Sequence, residues 1–436
     1  MWADHSVFYQ IYPLGLCKAP YENDGIREPR ILKVLDWIGH IERLGADAVY
    51  FSPVFESDTH GYNTRDFKKI DCRLGSNEDF AKVCGALHAA GMKVVLDGVF
   101  NHVGRGFWAF QDVLQNRENS RYRDWFHIDF SGNSNDNDGL WYEGWEGNYD
   151  LVRLNLRNEE VIAHILDAVK YWVEAFDIDG LRLDVAYCLD KEFLKRLRRF
   201  TDTLKEDFFL VGEVTGGDYR EWANDEMCHS VTNYECYNVL RSGFNNRDLC
   251  EVCNMLEKQF GVEEWTQYKG LHLLSFVDNH DVSRIASCLE DESLLPLIYA
   301  MMFGMPGIPC VYYGSEWGAK GDKNDGDPAL RAGFDAPEFG GLAEWIAKLA
   351  RAKKNSRALN EGSYRHILLT SQQCIFERAC STERVLVAIN LSDEPYTAHF
   401  DAGCGMADEL LSGKPHDFGG GSLLAPRSAV YWKMER

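Results

Sequence analysis

Acidic side chains stand at the ends of several short apolar runs, with imidazole and guanidinium groups close by. Lys93-Val94-Val95-Leu96 leads into Asp97 and on to Asn101-His102. Gly180-Leu181-Arg182-Leu183 leads into Asp184, Val211-Gly212 into Glu213, and Phe276-Val277 into Asp278-Asn279-His280-Asp281. A single acid after a strand-like run is ordinary turn chemistry. Four such ends, with His102, His280 and Arg182 beside them, are a different matter. Carboxylates gathered in one place are costly to keep charged, and such clusters are candidates for proton transfer and nucleophilic attack. Arg182 precedes Asp184 by two residues, so on a strand both point to the same face.

Gathering these groups requires a scaffold that brings several strand ends together. The chain alternates short apolar runs with amphipathic stretches: strands over 6–12, 48–51, 93–97, 179–184, 208–213, 229–232, 271–277 and 307–313, and helices over 32–44, 77–90, 158–176, 190–206, 233–258 and 292–304. Near-continuous apolar runs in β-then-α order predict a parallel sheet buried on both faces. Eight of them predict closure into a (β/α)8 TIM barrel, whose site lies at the C-terminal ends of the strands. The rhythm breaks after strand three, in an Asn-, Asp-, Gly- and Trp-rich excursion. After a helix over 342–353 the texture becomes short strands and turns. The expected division is barrel 1–101, an inserted loop subdomain 102–155, barrel 156–356, and a C-terminal antiparallel β-sandwich 357–436.

With these residues in place, the chain resembles the α-amylase family of glycoside hydrolases. The D-x-x-x-N-H motif is Asp97 to His102, G-x-R-x-D is Gly180 to Asp184, and N-H-D is Asn279-His280-Asp281. His60-Gly61-Tyr62-Asn63-Thr64 and Gly307 to Glu316 also match, and the likeness runs essentially through the whole chain. In texture, Leu151 to Asn155 and Phe176 to Ala186 are nearest to neopullulanases and cyclomaltodextrinases. The resemblance implies a retaining enzyme for α-1,4-glucosidic bonds, with α-1,6 bonds as an open extension, in maltooligosaccharides, cyclodextrins or related short α-glucans. Asp184 is then the nucleophile that forms a glycosyl-enzyme. Glu213 is the acid/base, and Asp281 holds two hydroxyls of the reacting sugar. His102 and His280 are expected on the same ring's hydroxyls, Tyr62 stacked on it, Arg182 keeping Asp184 ionised, and Asp97 orienting Arg182 and Tyr62. A transglycosidase and a sucrose- or trehalose-directed isomerase share every one of these residues. A non-catalytic barrel subunit is the remaining reading. The chain departs from those relatives in two ways. The first barrel strand is expected at residues 6–12, with no counterpart of their N-terminal β domain expected before it, and Glu213 leads into Val214-Thr215-Gly216-Gly217 where they tend to have a Trp.

The rest bounds the setting. A net charge of −22 disfavours nucleic acid and anionic lipid surfaces and suits a neutral small oligosaccharide. The 13 cysteines lack a framework, which fits a reducing compartment, and no secretory signal opens the chain, so a cytoplasmic enzyme is expected. Pro296, Pro306 and Pro309 make the apolar stretch 294–314 a buried helix and strand and not a membrane span. No cofactor is required. Calcium is expected only as a structural option, through Asn101 or the loop 131–138. Trp108, Trp125, Trp141 and Trp145 are expected to wall the cleft.

Overall fold

The computed structural model describes residues 1–435. Eight parallel strands form the barrel: β1 (Phe8–Ile11), β2 (Ala48–Phe51), β3 (Lys93–Gly98), β4 (Gly180–Leu183), β5 (Phe209–Gly212), β6 (Ser230–Val231), β7 (Leu274–Ser275) and β8 (Ile308–Tyr312). From β1 to β6 each pairs with its neighbour in sequence, β8 lies between β1 and β7, and β6 and β7 are the two edges. A parallel bridge from Thr232 to Leu274 joins the last two edges, with the Asn233 N–H donating to the Leu274 carbonyl at 2.9 Å.

The period of two along the strands separates the two faces. Phe8, Ala48, Val95, Phe209, Val211, Leu274, Ile308 and Cys310 pack together as one cluster in the barrel interior. Tyr9, Val49, Leu96 and Leu181 join the larger core beneath the helices. Continuing the inward period upward reaches Gln10, Tyr50, Asp97, Arg182 and then Asp184 and Glu213. Register does the rest: Arg182 pairs with Asp97 on one side and Val211 on the other.

The helices start where capping chemistry allows. Asn158 caps Glu159–Phe176, Asp190 caps Lys191–Leu204, and Ser76 forms a capping box on Asn77–Ala89. The single helix expected over 233–258 is two, Tyr234–Asn245 and Leu249–Phe260. Arg247 at φ 51° turns the chain, and Asp248 caps the second helix. The Asn-Asn-Arg-Asp run carried that signal, and helical apolar spacing on both sides masked it. The strand expected over 271–277 shrinks to Leu274–Ser275. The apolar stretch after residue 294 is the helix Leu295–Gly304 followed by β8. Among the described residues no helix is long and apolar enough to cross a membrane.

Between β3 and β4, His102–Gly104 and Asn148–Arg153 pair antiparallel and close off an excursion containing the helix Trp108–Asn116. At the C-terminal end a six-stranded antiparallel sheet has Ser363–Leu369 and Lys414–Asp417 as its edges and Ser428–Glu435 inside it. A two-stranded ribbon, Tyr396–Ala398 with Ser422–Leu424, lies beside it. One face of this sheet encloses its own core around Ile375, Leu386 and Trp432. The other gives Phe376, Val385, Val387 and Tyr431 to the barrel's core.

Candidate active site

Asp97, at the end of β3, is fully buried and gathers its partners from neighbouring strands. Arg182 donates to both its oxygens at 2.9 and 3.0 Å, Tyr50 to Oδ2 at 2.8 Å, and Tyr62 to Oδ2 at 3.1 Å. The same guanidinium reaches Asp184 Oδ1 at 2.7 Å and, through its other terminal nitrogen, Glu213 Oε2 at 2.9 Å. One buried cation therefore serves three carboxylates. The Val185 N–H adds a bond to Glu213 Oε2 at 2.8 Å. That N–H is presented by a left-handed backbone, φ 39° and ψ 49°, at a β-branched residue, a conformation that costs roughly 1–3 kcal/mol.

Burial dominates the electrostatics here. It pushes both Asp184 and Glu213 above the ordinary carboxylate range, and Arg182, pulling the other way, does not fully offset it. Asp97 repels Asp184, and Asp281 repels Glu213, in the same upward direction. Arg182 touches Asp184 as expected, but its charge is divided, so the pair keeps a proton to higher pH than free carboxyls would. Asp281 goes the opposite way. Burial would raise it, yet His280, with Nε2 3.0 Å from Oδ2, and Arg331, bonded to Oδ1 at 3.0 Å, hold it well below the usual range.

The imidazoles differ in placement. His102 is buried and kept neutral, its pKa pushed down to about 3 by burial. Its Nδ1 faces the Asn101 amide at 3.2 Å, which assigns the proton to Nε2. Among the described residues that nitrogen has no hydrogen-bond partner, and it lies 3.8 Å from Asp184 Oδ2. Gln10 Nε2 faces His280 Nδ1 at 2.8 Å, so His280 likewise presents Nε2–H, toward Tyr62 and Asp281.

These groups meet at a cleft of about 470 Å³. Tyr62, His102, Asp184, Glu213 and Asp281 line it, together with His60, Trp145, Tyr234 and Arg331. Asp97, Arg182 and His280 sit one layer beneath, orienting the lining groups and not forming the wall. Of the four tryptophans expected to wall the cleft, only Trp145 does so. Trp108, 40% exposed, and buried Trp125 pack on each other at 5.5 Å and on His164 of the helix Glu159–Phe176. Trp141 sits on the excursion's outer ribbon, 39% exposed. Aromatic composition gave no direction for these rings.

Arg331 and Tyr234 were not picked out by the sequence motifs. For Arg331 a signal existed: Asp327 and Arg331 have helical i,i+4 spacing and pair at 3.1 Å. Tyr234 opens a helix capped by Asn233 and accepts from the Asn279 amide at 3.1 Å. Nothing local marks it.

The residues offered for calcium do not fit it. Asp136 and Asp138 both pair with Arg105, at 3.0 and 2.9 Å, while Asn133 bonds Asn137 and the Gly139 N–H. Asn101 lines a neighbouring polar cavity in which Arg153 pairs with Glu143, and Arg157 with Asp190 at 3.0 Å. Guanidinium groups already balance the carboxylates that a divalent ion, with its six to eight oxygens, would need.

A (β/α)8 barrel with the buried acids Asp97, Asp184 and Glu213 converging at the strand C-termini, backed by a C-terminal β sheet, has the architecture of the barrel enzymes, whose sites lie at that face. The sequence profile of the alpha-amylase catalytic domain matches residues 31–362, and the chain belongs to that family. It is 30% identical over 347 residues to the intracellular maltogenic amylase of Bacillus subtilis (strain 168), covering 76% of this chain. It spans only 58% of the length of that relative. It is 31% identical over 423 residues to neopullulanase 2 of Thermoactinomyces vulgaris, across 91% of this chain and 71% of that one. Among solved structures, the cyclic alpha-maltosyl-(1→6)-maltose hydrolase of Arthrobacter globiformis superposes with a TM-score of 0.83, at 26% identity and 99% coverage of both chains.

Proposed function

We propose that the protein is a retaining glycoside hydrolase that cleaves α-1,4-glucosidic bonds in maltooligosaccharides, cyclodextrins or related short α-glucans. The observation that carries this reading is the arrangement of Asp184 and Glu213 on adjacent nitrogens of one guanidinium, at the cleft wall, with Asp281 opposite. Retaining enzymes keep their two carboxyls about 5–5.5 Å apart, too close for a water to attack between them, so one carboxylate attacks directly. Relatives named for maltogenic amylase and neopullulanase activity support the substrate class.

Burial raises both carboxyls and does not tell them apart, so the roles follow the motif resemblance. In this reading Glu213 carries the proton on Oε1, since Oε2 accepts from Arg182 and the Val185 N–H. Glu213 donates that proton to the leaving oxygen as the glycosidic bond breaks, while Asp184 Oδ2 forms the bond to the anomeric carbon. Glu213, now a carboxylate, takes a proton from water, whose oxygen displaces Asp184. Asp281, held ionised by Arg331 and His280, accepts hydroxyl hydrogen bonds and favours the positive charge that develops on the ring. His102 Nε2–H donates to a hydroxyl of the same ring, and Tyr62 forms its stacking floor. Nucleophile, acid and base are all side chains of this chain, so the reaction asks nothing of a metal. The setting we read for it is cytoplasmic, in keeping with the intracellular relative.

The test is proton NMR of freshly released product, alongside a panel of maltose, maltotriose, β-cyclodextrin, pullulan, isomaltose and sucrose. The α-anomer should appear first, on maltooligosaccharides or cyclodextrin. An initial β-anomer would rule out the glycosyl-enzyme. Turnover confined to sucrose would point to the isomerase-type reading, and products longer than the substrate to transglycosylation.

A further inference from the structure

The cleft continues past Arg331. His60, Asp327 and Arg331 also form one side of a second cavity of about 290 Å³, whose far side is Leu14, Pro20 and Tyr21. Asp184, Glu213, Thr215 and Trp145 do not line it. The second lobe thus opens off the Asp281–Arg331 side of the cleft, away from the acid/base.

Tyr21 is 58% exposed, and an aromatic ring left in water on a mobile loop would be poor design for any ligand. This turn is not left mobile. Arg73, fully buried, donates to the Pro20 carbonyl at 3.0 Å and the Tyr21 carbonyl at 2.5 Å. Asp71, itself buried, grips Arg73 through Nε at 2.9 Å and a terminal nitrogen at 2.7 Å. Two residues on, the Asn23 N–H donates to the Asp58 carbonyl at 3.0 Å. Burying an ion pair is costly and adds little stability by itself. Here the pair's remaining donors fix the backbone that carries one exposed ring.

A pyranose has an apolar C–H face and a rim of hydroxyls. The lobe offers the complement: Leu14, Pro20 and Tyr21 as an apolar wall, and Asp327, Arg331 and Lys18 as polar partners. We infer that Tyr21 is the stacking platform of a distal glycone subsite, taking the glucosyl unit beyond the ring held by Asp281. This rests on the functional reading given above, and it goes further by stating on which side, and with which residue, the enzyme measures chain length.

The experiment compares Tyr21→Ala and Tyr21→Phe with the unaltered protein on maltose and maltotetraose. An aromatic platform corresponds to a roughly 3- to 10-fold effect. Tyr21→Ala should lower kcat/KM for maltotetraose by that factor while leaving maltose unchanged, and Tyr21→Phe should behave as the parent. Equal loss on both sugars, or loss on neither, overturns the inference. Calorimetric binding of maltotetraose to Asp184→Asn with and without Tyr21→Ala reads the subsite without turnover, and equal affinities would also overturn it. If the parent hydrolyses neither these sugars nor β-cyclodextrin, the functional reading fails, and the binding comparison still decides the subsite.

Discussion

Asp179 and Asp184 flank the same strand, β4, and their surroundings drive their carboxyls in opposite directions. Asp179, at the N-terminal end, is buried, and burial alone would raise it. His88 at 2.9 Å, the Val94 N–H at 2.9 Å, Lys205 at 2.9 Å and Lys93 at 3.0 Å outweigh burial and hold it below the usual range. Asp184, at the C-terminal end, shares a single guanidinium with Asp97 and Glu213, and burial wins. One end of the barrel satisfies its acid fully, and the other leaves its acid short of charge balance. The first arrangement stabilises the fold. The second costs stability and leaves a reactive group, which is the division expected between the two faces of such a barrel.

The largest effect should come from removing the unsatisfied pair. Asp184→Asn and Glu213→Gln should each lower maltooligosaccharide hydrolysis by about 10³-fold or more. Because both carboxyls are raised in the folded state, their ionisation costs stability above the unfolded pKa. Neutral replacements should therefore melt at the same temperature as the parent or higher. Retention of more than about a few per cent of activity would sink the assigned role, and a lowered melting temperature would break the contrast.

Asp179→Asn should do the reverse. It leaves cations at the barrel bottom facing an amide, and loses about 2–3 kcal/mol, discounted because its partners are partly exposed. For a chain of 436 residues that is a drop of roughly 2–3 °C in melting temperature. Activity per folded molecule should hold. Loss of activity at unchanged stability would refute the division of labour.

Acid titration sharpens the same contrast. Asp179 has a folded pKa below its unfolded value of about 3.9, so its stabilisation is full above that pH and is lost progressively as pH falls from there toward the folded pKa. Melting curves from about pH 6 down to about pH 2 should show the parent's advantage over Asp179→Asn steady at first and shrinking below about pH 4. Activity should start to fail at higher pH than stability does, because the Asp184–Glu213 pair takes up its second proton above the ordinary carboxylate range. Acid limbs of rate and melting that coincide would show the two ends to be electrostatically alike.

The smallest effect concerns access to the upper end. His102, Trp145, Asn148 and Leu151 bring the excursion to the cleft wall, so kcat/KM per scissile end should not favour soluble starch over maltotriose. A tenfold or larger preference for starch, on the order of 1.4 kcal/mol, would mean that the wall is open.

Much of this molecule could be read along the chain. Barrel strands announce themselves because burial on both faces demands continuous apolar runs. Asp97, Arg182, Asp184, Glu213 and Asp281 were legible because strand ends in a parallel barrel must converge, and strand periodicity fixes which side chains point in. The break at Arg247 and the shortness of β7 were less so, since helical spacing persists across a capped turn and strand length depends on what its neighbours pair with. Local pattern determined which residues reach the top of the barrel. Only the tertiary structure decided that Arg182 would be divided among three carboxylates, that Arg331 would hold Asp281, that Val185 would take a left-handed backbone to serve Glu213, and that three of four tryptophans would turn away from the cleft. Each of these depends on distances between residues far apart in sequence, and on how much water their packing excludes, and neither quantity is written in local sequence.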